Sequence, residues 1–282
     1  MNLNIESLLN ACQKLQVDYR VLHSGQNVVE VQTPAGPRFF VNWSTPLNDQ
    51  GVVKLCEDKD YTSTLLEGVI NMPCTRAFLD PHVNPAYKRY RSHTTFSQVI
   101  QEIEAEFAYP FILKRNRGSH GTNVFRIETS GELEQKLALI FDKKHKDYDY
   151  VVLAQEVIDI DAEFRSIFLA GAHQFSYRKD TTGATFSGNL SPFRWGDTKA
   201  QLITDEELNQ QICGFMAPAL ATLPIPFVGA DIARDQDGTF WLIELNAAPG
   251  FGFFIRDCGR ELVDILYEKM LYQLGIPKSF RE

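Results

Sequence analysis

The chain has 282 residues, is 44% hydrophobic and 23% charged, and carries a net charge of −8. That length can bury roughly three quarters of the unfolded surface and admits two domains, or one domain with lobes. The negative balance argues against a nucleic-acid backbone as the main partner, and no window approaches the ~20 apolar residues of a membrane span. Five scattered cysteines without a C-x-x-C read as reduced thiols of a cytoplasmic protein.

The first residues lack a long apolar run, so no secretion signal is expected. Apolar residues at helical spacing predict a helix over 5–15 (Ile5, Leu8, Leu9, Cys12, Leu15). Short strands follow at 19–22, 28–31 and 38–41, separated by Gly and Pro turns, which makes a small α+β opening module. Residues 61–69 read as a helix and 75–79 as a strand. The polar, Pro-containing stretch 80–91 reads as a loop. Thr95 with Gln98, Thr129 with Glu132, and Thr204 with Glu207 are capping-box patterns for helices over 99–107, 133–141 and 208–223. Strands are expected at 111–114, 123–127, 150–156, 164–169 and 173–179, with an acidic link at 159–163. A long aperiodic loop covers 180–199. The chain closes on a hairpin, 228–245, and an amphipathic helix, 261–274.

The chemistry concentrates at that hairpin. Asp231 lies in its first strand, and Glu244 and Asn246 end its second. Residues two apart on a strand share a face, so Glu244 and Asn246 point the same way, and Asp231 can lie across from them. Two carboxylates and an amide oxygen are hard ligands suited to Mg²⁺ with substrate phosphates. If Mg²⁺ binds there, phosphates need a partner. The loop KRNRGSHGT supplies one: Lys114 at a strand end, then Gly118, Ser119, Gly121 and Thr122, whose backbone can turn N–H groups onto anionic oxygens. On its own such a loop is an ordinary hairpin connection, and His120 is given no chemistry. Residues 152–158 offer an apolar slot for adenine ending in Gln155 and Glu156, and Glu163 can accept from ribose hydroxyls. Arg165, Arg178 and Asn189 follow in or after the next strands, and an arginine there is equally a salt-bridge partner.

In this order the residues resemble the ATP-grasp superfamily over 57–254. The paired lysines of that family fall at Lys59 and Lys114, the flexible phosphate loop at 117–122, and the adenine hinge at Gln155, Glu156, Val157 and Ile158. The ribose acid falls at Glu163 and the metal set at Asp231, Glu244 and Asn246. Within the superfamily the chain looks most like the amino-acid and peptide ligases. The segment around Glu163 and Arg165, with Arg178 and residues 186–189, is similar to the alpha-L-glutamate ligases. The stretch 58–73 is similar to the one before the ATP site in cyanophycin synthetase and bifunctional glutathione synthetase. Three features depart: Arg115 follows the loop lysine where the family has proline, Asn123 replaces a second loop glycine, and the opening module is short beside that of D-alanine–D-alanine ligases.

The resemblance implies an α+β ATP-grasp fold in which two α+β lobes clamp ATP. Residues 1–56 would be a short N-terminal α/β module, 57–155 the central lid subdomain and 156–282 the C-terminal subdomain. It implies an ADP-forming carboxylate–amine ligase working through an acylphosphate. ATP and two Mg²⁺ ions would take part, with Mn²⁺ able to substitute, and Arg178, Asn189 and Arg165 would be catalytic. Partners would be small-molecule or peptide carboxylates and amines, with neither nucleic acid nor membrane, and a homodimer is left open. A small-molecule kinase of the same superfamily, or a non-catalytic nucleotide-binding protein, stands as the alternative.

Overall fold

The computed structural model describes residues 2–118 and 121–277. Helix α1 (Leu3–Leu15) opens the chain, capped by the Asn2 side chain, which accepts the Ile5 N–H. Strands β1 (Tyr19–Val21), β2 (Val28–Thr33) and β3 (Gly36–Val41) form an antiparallel sheet. Helices α2 (Gln50–Glu57) and α3 (Lys59–Leu66) follow, and the Asp58 side chain caps α3.

Next comes a lobe built from β4 (Thr75–Leu79), α4 (Phe96–Glu106), β5 (Phe111–Arg115), β6 (Val124–Ile127), α5 (Ser130–Ile140) and β7 (Val151–Glu156). Its four strands run antiparallel in the order β4-β7-β5-β6. Phe111, Leu113, Ile127 and Val152 from the strands pack on Val99, Ile103, Leu133 and Leu137 from α4 and α5.

The remaining elements are β8 (Ile160–Leu169), β9 (Ala172–Asp180), β10 (Lys199–Leu202), α6 (Glu206–Thr222), β11 (Phe227–Asp235), β12 (Phe240–Asn246), α7 (Gly252–Cys258) and α8 (Glu261–Gln273). Their strands form a five-stranded antiparallel sheet, β10-β9-β8-β11-β12. One face packs on α6, where Phe164, Phe168, Val228, Ala230 and Ile232 meet Ile212, Met216 and Ala219. The other face is covered at one end by α1, α7, α8 and the first sheet: Ile167, Phe175 and Tyr177 share a core with Leu8, Phe40, Phe254 and Leu266. The uncovered end of that face is free to carry polar groups.

Several local expectations change. Thr95 and Gln98 form a complete capping box on α4. Thr129 caps α5, but Glu132 accepts from the Glu128 N–H instead of the cap residue. Helix α6 is capped by Asp205, whose side chain accepts the Glu207 and Leu208 N–H groups, and Thr204 stays outside the cap. The acidic link 159–163 belongs mostly to β8. Helices α2 and α7 and strand β10 lie in stretches the sequence pattern left blank.

Packing also groups the chain differently from the boundaries 1–56, 57–155 and 156–282. Cys56, Leu66, Val69, Ile70 and Met72 join the core under the five-stranded sheet, so the central lobe starts near residue 75. The opening module shares its core with α7 and α8 and does not stand apart.

Leu8 is fully buried in that shared core. Leu8→Ala should cost about 2–5 kcal/mol by lost burial and the cavity left behind. Because the core is shared, urea unfolding followed by Trp241 fluorescence on β12 and by far-UV circular dichroism should shift to the same lower midpoint.

Candidate active site

Four strands of the five-stranded sheet place one largely buried row of polar side chains on the face away from α6, next to the core that Tyr177 joins. Register pairs Tyr177 with Arg165, Arg165 with Asp231, and Asp231 with Glu244. Arg165 grips Asp231 in a fork: Nε donates to Oδ1 at 2.7 Å and Nη2 to Oδ2 at 2.5 Å. Lys179 Nζ lies 3.4 Å from Asp231 Oδ1 and donates to Glu163 Oε2 at 3.1 Å. Burial works against the charge on Arg165 and Lys179, yet the Asp231 carboxylate, with Glu163 beside Lys179, raises both above their ordinary values. Burial would likewise raise Asp231. The two cations more than offset it and hold its carboxyl well below the usual carboxylate range.

A bulge sets the aim of Glu244. The β11–β12 register slips between Asp231 and Ile232, so that Asp231 faces Glu244 while Ile232 faces Leu242. Ile243 is the extra residue. Leu242 therefore points into the α6-side core and Glu244, two residues on, points to the opposite face. Asn246 lies across from Gly229 on the same face as Asp231, and its Oδ1 accepts the Ala248 N–H at 3.0 Å. Gly229 leaves room for the turn that follows: a Cβ there would lie 3.0 Å from Pro249 Cβ, so a side chain would have to push Pro249 back.

Arg178, expected in the catalytic set, is not brought together with Asp231. It lies directly across from Phe164, whose ring is in the α6-side core, so it belongs to the face away from Asp231. Lys179 takes the place facing Asp231 and Glu163. Sequence periodicity does not reveal Lys179, because a bulge in β9 decides which face it takes.

The central lobe and the start of α3 contribute a second set of groups. Lys114, on β5 and buried, donates to Gln155 Oε1 at 2.9 Å, and Gln155 donates onward to Thr75 Oγ1 at 2.8 Å. Lys59 heads α3 and donates to the Gly118 carbonyl at 2.8 Å, with Asn116 O at 3.4 Å. The Asn116 Oδ1 accepts the Asp60 N–H at 2.9 Å, and Arg117 pairs with Asp58, so the start of the glycine loop is fastened to the start of α3. Lys59 Nζ also lies 3.8 Å from Glu244 Oε2, which joins the two sets. Burial first, then the Lys59 charge, pushes the Lys114 ammonium down to about 7, and Glu244 offsets this only in part.

Gly121 has φ +68°, and a side chain there would run into Asn189 Oδ1. The structure therefore brings Asn189 and the loop from the other lobe together. Thr122 follows Gly121, while Ser119 and His120 lie outside the described residues. Glu156 turns Oε1 back to the Cys74 N–H at 2.6 Å, and Val157 and Ile158 are half-buried in the link to β8.

These groups fit a triphosphate and a hard cation. Two ammonium groups with one carboxylate between them favour an anion. Among the described residues no cluster of three or more His, Cys, Asp or Glu is poised for a metal. Asp231 and Glu244 would thus need the Asn246 amide and ligand oxygens to complete a shell, which suits Mg²⁺. Asp231 already serves Arg165 and Lys179, so it would share its oxygens. All five cysteines are free thiols, and no helix among the described residues is long and apolar enough to cross a membrane.

Two antiparallel sheets, one bringing lysines and a glycine loop and the other a carboxylate pair, define an ATP-grasp fold. Residues 75–270 match the RimK-like ATP-grasp domain, and the chain belongs to that family. Among solved structures it is similar to the VanG D-Ala:D-Ser ligase from Enterococcus faecalis. The TM-score is 0.59 at 18% identity, over 81% of this chain and 64% of that one. The D-cycloserine synthetase DcsG has a TM-score of 0.56 at 15% identity, over 81% and 73%. Beta-citrylglutamate synthase B from Danio rerio is 25% identical over 182 residues, 64% of this chain and 42% of that protein. The chain thus spans less than half the length of this curated relative.

Lys114 binds its proton more weakly in the folded chain than in the unfolded one. Between about 7 and the ordinary 10.5 the unfolded chain holds the extra proton, so this group makes stability rise with pH across that window. Lys114→Met should remove that rise in urea unfolding compared at the two ends of the window. Lys59→Met should move the Lys114 titration upward in an NMR experiment on ¹³C-methylated lysines, since the neighbouring charge is gone.

Proposed function

We propose that the chain is an ATP-dependent, ADP-forming ligase that joins a carboxylate to an amine. The single observation that carries this is the meeting of Lys59 and Glu244, 3.8 Å apart, which sets two lysines against a carboxylate pair in a RimK-like ATP-grasp chain. A substrate carboxylate oxygen attacks the γ-phosphorus of ATP, the bond to the bridging oxygen breaks, and ADP leaves. The amine nitrogen then attacks the acyl carbon of the acylphosphate. The carbon–oxygen bond breaks, phosphate departs, and the amine proton passes to solvent.

The protein's part is placement and charge balance. Lys59 and Lys114 hold phosphate oxygens, and Gln155 keeps Lys114 aimed. Arg165 and Lys179 fix the Asp231 carboxylate in one orientation. The loop from Gly118 to Thr122, with Asn189 against Gly121, excludes water that would hydrolyse the acylphosphate. Residues 155–158 receive the adenine and Glu163 the ribose. Asp231, Glu244 and Asn246 would hold Mg²⁺, two ions with Mn²⁺ able to replace them, which neutralise charge on the phosphate oxygens. The acid and the amine are small molecules or peptides.

Glu244→Ala should lower substrate-dependent ADP release by about 100-fold or more while circular dichroism stays native. Lys179→Ala should cost at least about tenfold, and more than Arg178→Ala, because only Lys179 faces the carboxylates. A coupled assay should find free phosphate equal to ADP. Phosphate retained on the product, or normal turnover by the Glu244 variant, would overturn the reading.

A further inference from the structure

We infer that Asn48 and Asn4, in the N-terminal segment outside the matched domain, are positioning residues for the metal-binding corner. This rests on the reading of Asp231, Glu244 and Asn246 as the cation set. The turn between Asn246 and α7, residues 247–251, has backbone groups that no strand or helix pairs. Asn48 Nδ2 donates to Ala247 O at 3.0 Å and to Phe227 O at 2.7 Å, and its Oδ1 accepts the Phe227 N–H at 2.9 Å. One amide thus ties the residue after Asn246 to the start of β11, the strand that carries Asp231. Asn4 is 1% exposed. Its Nδ2 donates to Pro249 O at 3.1 Å and its Oδ1 accepts the Phe251 N–H at 3.0 Å.

The link to Asn246 is direct. Its Oδ1 accepts from Ala248 N, so the orientation of the amide follows the position of Ala248. Ala247 and Pro249, on either side, are the residues that Asn48 and Asn4 hold. Pro249 is also seated on Gly229, the residue across from Asn246. Removing either asparagine frees the turn without touching Asp231, Glu244 or the lysines. The cation shell then loses its third ligand's fixed direction, while the charge that meets the nucleotide is unchanged.

The test measures cation binding apart from turnover. Free Mn²⁺ is followed by electron paramagnetic resonance in the presence of adenylyl imidodiphosphate, for the wild type, Asn48→Ala, Asn4→Ala and the packing control Ile5→Val. Ile5 neighbours Asn4 on α1 and is buried in the same core, but bonds nothing in the turn. Both asparagine variants should bind Mn²⁺ about tenfold or more weakly, in the range seen when the groups orienting metal ligands are removed. Their affinity for the nucleotide in EDTA should stay as in the wild type, and Ile5→Val should bind Mn²⁺ normally. Wild-type Mn²⁺ affinity in both asparagine variants would overturn the inference and leave the metal reading standing. Equal weakening in Ile5→Val, or loss of fold in both asparagine variants, would reduce the two residues to packing and overturn it as well. Absence of Mn²⁺ binding by the wild type would remove the metal reading and the inference together.

Discussion

The arrangement depends on one buried carboxylate that must stay charged. Asp231 sits in β11, between β8 and β12 of the five-stranded sheet, with apolar neighbours on its strand, where an unpaired carboxylate would be neutralised or would unfold the sheet. The Arg165 fork and the Lys179 ammonium keep it ionised. Such a pair is not a large source of stability, since its attraction is spent against desolvation. What it yields is direction. A planar guanidinium bonded through two nitrogens leaves the carboxylate one orientation.

Around that point the charges fall into two unequal sets. The sheet brings Asp231, Glu163 and Glu244 against Arg165 and Lys179. The central lobe brings Lys114 and the start of α3 brings Lys59, and the acid that meets Lys59 is Glu244 of the sheet. Glu244 is the one carboxylate shared between the two, and it does not satisfy both lysines, as the lowered Lys114 shows. The lysine excess on one side would suit a polyanion, and the acid excess on the other a divalent cation. Both preferences follow from where the strands end. Asn189 against Gly121 then ties the loop over the phosphate side to the segment that follows β9.

Much of this was legible in the chain itself. The hairpin, its two acids and its amide announce themselves by spacing, and Lys114 stands at the end of an apolar strand ahead of two glycines. What was not legible is parity. Counting β9 back from the β8 turn, where Leu169 pairs with Ala172, would set Glu163 opposite Arg178. The bulge at Gln174 moves the register by one, so Arg165 meets Tyr177, Lys179 turns inward and Arg178 turns out. The bulge at Ile243 does the opposite service for Glu244, which without it would face the α6-side core. A bulge leaves no signature that periodicity can detect, because it is an exception to periodicity. Asn48 and Asn4 escaped for another reason: their partners are backbone atoms roughly two hundred residues away, and no local pattern encodes that.

The same distance explains how the site is divided. The matched domain, residues 75–270, holds the acids, Arg165, Lys179, Lys114 and the loop. Lys59, Asn48 and Asn4 lie before it, yet each bonds a backbone group inside it: Gly118 O, Ala247 O and Pro249 O. A turn that must leave its carbonyls unpaired by strands, so that it can bend back over Gly229, needs donors from somewhere. An asparagine amide offers two N–H donors and a carbonyl acceptor on separate atoms; Asn48 uses both donors and the acceptor, and Asn4 bridges Pro249 O and the Phe251 N–H with its nitrogen and oxygen. The opening segment is then more than a cover for the sheet. It provides polar partners for the turn at residues 247–251, and it shares one apolar core with the helices that follow that turn.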